Sequence, residues 1–172
     1  MSYILNDDWQ GLERTSPEWC QNQAESIRKY IAGTHEYIDV DGIVMLLNEM
    51  ADAKYSTAES YCERIMAHLL FIHISPTNDA INHWLSEIEN FSYNLLPAIG
   101  VKAKRRQGNT NIRNELTENW AEIYDRAVEQ TRKKARRATI FPFHTDIIPL
   151  VAPWNLQDFM SKTPEELAKM TK

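Results

Sequence analysis

Glycine is scarce in this chain, at five of 172 residues, and the chain holds no Gly-rich phosphate loop and no GxSxG turn. Cysteine is scarcer. Cys20 and Cys62 lie 42 positions apart, with no CxxC pair, no disulfide ladder and no nearby histidine, which reads as two thiols in a reducing compartment. No stretch approaches the roughly 20 consecutive apolar residues of a membrane span. The opening MSYILNDDWQ has neither a basic n-region nor a long apolar core. These absences predict a cytosolic protein with no membrane role. Beta-branched residues are scattered rather than run together, and with so few glycines this favours helix over sheet.

What is present is ordinary globular material, 43% apolar and 25% charged. A chain of this length buries roughly 70% of its unfolded surface, so it needs no covalent staple. The net charge of −5 is unevenly placed. Residues 101–137 carry eleven Lys and Arg against five Asp and Glu, a net of +6, which leaves −11 for the rest. Such asymmetry marks either a polyanion-binding surface or two oppositely charged parts of one fold.

The apolar spacing predicts about five helices. Residues 1–16 read as a tail, with Ile4, Leu5 and Trp9 as apolar handles. A first helix starts at Ser16 and Pro17, carries Cys20, Ala24, Ile27 and Ile31 on one stripe, and ends at Gly33 and Thr34. Asp39 caps a second, bearing Ile43, Leu46, Leu47 and Met50. Ser56 to Glu59 reads as a capping box for a third, with Ala58, Tyr61, Ile65, Leu69 and Ile72 aligned. A fourth runs through Ile81, Trp84, Leu85, Ile88, Phe91 and Leu95 and stops near Pro97 and Gly100. A basic linker follows, and a fifth helix spans Thr110 to about Ala138 with Leu116, Trp120, Ile123, Tyr124, Ala127 and Val128 facing inward. Residues 140–160 hold three prolines among large apolar side chains, too broken for one helix and too apolar for disorder. They predict an extended segment laid over the bundle, with a short helix near Asn155 to Met160. Residues 161–172 form a last short helix capped by Thr163, Pro164 and Glu166.

The chemistry-bearing residues form no recognisable catalytic set. His68 and His73 are five apart, about 140° around a helix, so they do not converge on one ion. Both are read as packed, hydrogen-bonded rings. His83 approaching His73 is the one metal pairing available, and it lacks a third ligand. Asp39 to Gly42 resembles part of a calcium loop, but Tyr37 and Asn48 stand where the loop needs an oxygen ligand and its closing glutamate. Glu49, Asp52, Glu59 and Glu63 lack the Glu-x-x-His pairs of a di-metal bundle and read as a solvated face. Arg64 and His68 resemble the Arg-x-His signature of the helical HEPN ribonucleases, although only three residues intervene, one short of that pattern. Arg137 and His144 have the right spacing, but Pro142 falls inside it. The Arg64 head is expected to reach Glu63, Glu59 or solvent.

Six stretches in order resemble a bacterial family abundant in cyanobacteria, domain of unknown function 29. They are Trp19 early in the first helix, Ile38–Asp39 at the second, Ala67–Leu70, His83–Trp84, Tyr124 with Ala127, and Phe141–Pro142. The likeness spans about residues 17 to 160. Departures are FIHIS after the His-Leu-Leu stretch and NTNI at the start of the long helix. The resemblance implies an all-α bundle and transfers no catalytic residue.

The resulting expectation is an all-α, roughly five-helix bundle over 17–160, with Trp84, Trp120 and Tyr61 as its large fillers and an apolar, Pro-containing C-terminal segment packed over it. No catalytic, metal or cofactor-binding residue is assigned. The function expected is a non-enzymatic interaction or accessory role, with a protein partner or a second copy of the chain. Its surface is expected at Phe143, Ile148, Trp154 and Phe159 if these stay uncovered. The alternative is nucleic-acid binding through Lys104, Arg105 and Arg106 in the linker and Arg132, Lys133, Lys134 and Arg136 at the end of the long helix. Against it, the helix dipole alone favours Glu115, Glu118 and Glu122 at that helix's start and cations at its end. No aromatic is interleaved to stack bases.

Overall fold

A computed structural model of the chain describes residues 16–34, 37–75, 77, 80–100, 110–137 and 143–171. All regular structure among them is helical, as the residue spacing predicts. The chain divides into two compact units, Met1–Ala53 and Lys54–Lys172.

In the first unit, helix α1 (Pro17–Ile31) begins at its expected cap. The Ser16 hydroxyl accepts the Trp19 N–H at 3.1 Å, and Pro17 takes a position where a missing N–H breaks no helical bond. Beyond Ile31 the chain turns at Ala32 and at Gly33, which is left-handed at φ 87°. Helix α2 (Val40–Ile74) starts behind Asp39, whose Oδ1 accepts the Gly42 N–H at 3.0 Å. Asp39 in turn donates its own N–H to Gln23 Oε1 at 2.9 Å, which fastens α1 to the start of α2. Trp19, Gln23, Asp39 and Gly42 are all buried. The close approach requires glycine at 42, because a Cβ there would run into the Asp39 carboxylate and stand 2.7 Å from Trp19 Cζ2.

Helix α2 continues across the division for 35 residues in all, so the second and third expected helices are one. The capping box at Ser56 is not used as a start. No glycine or proline lies between Gly42 and Pro76 to interrupt the helix, and Ala51, Ala53 and Ala58 are strong helix formers. Within the second unit α2 is the central element: Cys62, Ile65, Met66, Ala67, Leu69, Leu70 and Ile74 are fully buried and cover more than half of its circumference, with Arg64 exposed on the remaining face.

Around it pack α3 (Ile81–Ala98), through Ile88, Phe91 and Leu95, and α4 (Thr110–Glu118), through Ile112 and Leu116. Helix α5 (Trp120–Arg137) adds Ile123, Tyr124, Ala127, Val128 and Ala135. The expected long fifth helix is therefore two, parted at Asn119. The Thr117 hydroxyl donates to the Arg113 carbonyl at 2.8 Å, a back-bond that bends helices, and Asn119 Nδ2 donates to Tyr55 Oη at 2.8 Å. Tyr55 donates to Glu59, and Arg126 pairs with Glu59 at 2.8 Å and Glu63 at 3.3 Å. Arg126 thus takes the carboxylates expected for Arg64. Being partly exposed, each pair contributes about 0–1 kcal/mol.

The C-terminal segment lies on this bundle as expected. It runs through Phe143, a 3₁₀ turn (Thr145–Ile147), α6 (Leu156–Ser161) and α7 (Pro164–Lys169). Asn155 with Asp158 and Thr163 with Glu166 form the two capping boxes. The large fillers differ from expectation. Tyr124 and Trp154 occupy the interior, while Trp84, Trp120 and Tyr61 are half-buried around it.

Gly42→Ala is expected to destabilise the first unit. Helix propensity would gain about 1 kcal/mol, but overlap with a buried ring and carboxylate costs about 1–3 kcal/mol and removes the Asp39 cap geometry. Amide hydrogen exchange should quicken in α1 and the first turns of α2 while the Lys54–Lys172 unit keeps its protection.

Candidate interaction surfaces

The expected C-terminal patch is not a surface. Ile148, Trp154 and Phe159 are buried in the core of the second unit, and Phe143 is half-buried with its ring 5.9 Å from Phe71. Apolar size and proline content gave them the look of a patch. Their apolar surface is removed from water in the core, and hydrogen bonds that local sequence does not display fix the path of the segment. The Tyr124 hydroxyl donates to the Pro149 carbonyl at 2.7 Å, Trp120 Nε1 to that of Trp154 at 2.7 Å, and Trp154 Nε1 to that of Leu167 at 2.8 Å. The His144 N–H reaches the Ile74 carbonyl at 3.0 Å. Burial pushes the Tyr124 hydroxyl up to about 12, so it stays a donor. In the same segment it is Ile147, Leu150 and Val151 that are exposed.

The histidines fit packing roles. His73 Nε2 lies 3.0 Å from the Ile147 carbonyl, a further fastening of the C-terminal segment. His68 Nδ1 lies 2.8 Å from the Arg64 carbonyl, and its ring meets Phe91 edge-on at 5.4 Å. The Arg64 guanidinium sits over the same ring at 5.6 Å. This pair is thus folded onto an aromatic side chain. Residues 138–142 lie outside the described residues, so the Arg137–His144 interval is not described as a whole. Among the described residues no group of three or more His, Cys, Asp or Glu is placed to hold a metal ion. None of the described helices is long and apolar enough to cross a membrane.

The basic set is divided. Lys104, Arg105 and Arg106 lie outside the described residues. Arg132, Lys133 and Arg136 line an open groove of about 680 Å³ along one face of α5, joined by Arg137, Val128, Asp125 and Glu129. Lys134 instead sits over the Phe71 ring at 5.9 Å. The groove therefore mixes four cations with two carboxylates.

The surface missed by sequence reasoning is on the first half of α2. Val40, Val44 and Leu47 are 60%, 50% and 58% exposed, and Ala51 is exposed with them. At 100° per residue these four fall within about 60° of one another, a single apolar stripe. Asp41, Asn48 and Asp52, all exposed, fall side by side along one of its edges. The sequence spacing put Ile43, Leu46, Leu47 and Met50 on one apolar face of this helix, yet Leu47 and Met50 are exposed. Lack of cover was not legible, because exposure is a tertiary property.

The family described as Domain of unknown function DUF29 matches residues 13–163. The chain belongs to that family. No curated protein and no solved structure matches it. The described positions that carry the DUF29 resemblance fall mostly in the interior: Trp19, Asp39, Ala67, Leu69, Leu70, Tyr124 and Ala127 are buried. They account for how this DUF29 chain folds and assign it no reaction.

Burial, then the nearby Lys134 charge, hold His68 below its ordinary value, partly offset by the Arg64 carbonyl. The neutral ring is the form that fits the fold. Its contribution to stability is full above the unfolded value of about 6.5 and is lost as pH falls from there through the folded value. Urea midpoints measured from pH 7.5 to 5.5 should fall less steeply for His68→Gln than for the unaltered protein; parallel slopes would contradict this. Burial also raises the Cys62 thiol far above its ordinary value, so iodoacetamide at pH 8 should alkylate Cys62 only after unfolding.

Proposed function

We propose that this DUF29 chain is a non-enzymatic interaction protein that works through the apolar stripe Val40–Val44–Leu47–Ala51. One observation carries the reading: three branched apolar side chains in register on one helix face, each at least half exposed. Scattered exposed apolar residues are normal, whereas an aligned set marks a contact surface. Each such side chain, once covered, contributes about 1.5–3 kcal/mol, enough for a few of them to hold a partner.

The second reading, nucleic-acid binding, is supported by Arg132, Lys133 and Arg136 lining one groove. Asp125 and Glu129 in that groove oppose a phosphate backbone, which makes it the weaker of the two.

Affinity purification of the full chain from its host separates them. Val44→Asp/Leu47→Asp changes only exposed positions and should leave the circular dichroism spectrum intact. A protein that co-purifies in stoichiometric amount with the unaltered chain should be lost with this variant and kept with Arg132→Ala/Lys133→Ala/Arg136→Ala. Recovery of nucleic acid that depends on the α5 cations, with no protein depending on the stripe, would overturn the reading.

A further inference from the structure

Resting on that reading, we infer that the occupant of the α2 stripe is a basic amphipathic helix of a partner protein. From Val40 to Ala51 the stripe rises about 17 Å, three turns, which matches one face of a docking helix with apolar residues at i, i+3 or i+4, and i+7. Charge narrows the class. Asp41, Asn48 and Asp52 run along one edge of the stripe. Residues 1–53 as a whole carry ten Asp and Glu against three Lys and Arg, a net of −7. An acidic row beside an apolar stripe repels nucleic acid and anionic lipid headgroups alike. It also opposes a second copy, since two such stripes laid antiparallel about a two-fold axis would bring both acidic rows to the same edge. What complements it is a helix with Lys or Arg along one margin of its own apolar stripe, where the charges choose the partner and the apolar contact holds it.

The test uses the full chain and two synthetic peptides of about 18 residues, long enough for partial helix. Both carry leucines at i, i+4 and i+7. One has lysines along a single margin of that stripe, and the other has glutamates at the same positions. Fluorescence anisotropy should give the lysine peptide at least about fivefold tighter binding, since two ion pairs of about 0.5 kcal/mol each, to Asp41 and Asp52, amount to that ratio. Screening at about 1 M salt, where the Debye length is about 3 Å, should close most of the gap. Asn48→Lys/Asp52→Lys should reverse the preference, and Val44→Asp/Leu47→Asp should abolish binding of both peptides. Equal affinities, or tighter binding of the glutamate peptide, would overturn the inference. So would a two-chain mass in sedimentation that disappears in Val44→Asp/Leu47→Asp, because the occupant would then be a second copy. If the co-purifying protein still depends on the stripe while the peptides are indistinguishable, the basic helix fails and the surface stands. If Val44→Asp/Leu47→Asp alters neither experiment, both fail.

Discussion

Carbonyl oxygens of the C-terminal segment are taken by ring donors from the helices beneath it, and the second unit depends on this exchange. Prolines at 149 and 153 remove two N–H groups from the segment, so it cannot enter regular pairing there. Its carbonyls still need donors once they leave water. Tyr124 and Trp120 supply them from α5, and His73 lies beside another from α2. Each is an aromatic or imidazole ring with an apolar body and a polar tip, so a single side chain fills volume and satisfies a backbone group. Trp154 repeats the device within the segment, its indole donating to Leu167 while its ring packs 6.5 Å from Tyr124 and 6.4 Å from Phe159.

Local signals were the legible ones. The caps Ser16 with Pro17, Asp39, and Thr163 with Glu166 were readable, because a cap is written in nearby residues and acts on its own helix; the short helix near Asn155 to Met160 was readable too, though not its Asn155–Asp158 capping box. The all-helical fold followed from spacing alone. Ser56 to Glu59 misled because a capping signature is permissive: it can start a helix but cannot stop the one already running through it. Asn119 went unseen for the converse reason, since its break answers a hydroxyl back-bond and a tyrosine sixty-four positions away. Which large residues fill the interior was also illegible. Trp84 and Trp154 look alike in sequence, and only the tertiary arrangement makes one a margin and the other a centre.

The candidate surfaces divided along the same line. Phe143, Ile148, Trp154 and Phe159 are large, apolar and near prolines, the look of a patch, yet they pack into or against the core. On the first half of α2 the spacing marked Ile43, Leu46, Leu47 and Met50 and not the exposed stripe Val40–Val44–Leu47–Ala51, because an exposed and a buried face share one periodicity. Charge placement was the better guide: the cations of α5 stand where the basic excess of residues 101–137 located them. What composition could not show was that Asp125 and Glu129, two of the five carboxylates counted there, share the α5 groove with those cations.

The fastenings of the C-terminal segment fall on both sides of its most exposed point. Leu150 is 95% exposed between the Pro149 carbonyl, held by Tyr124, and the Trp154 carbonyl, held by Trp120. A chain nicked at that tip therefore keeps an anchor on each side of the cut. The severed tail, with Trp154, Phe159 and Leu167 still seated, would behave as a non-covalent subunit of the body it was cut from.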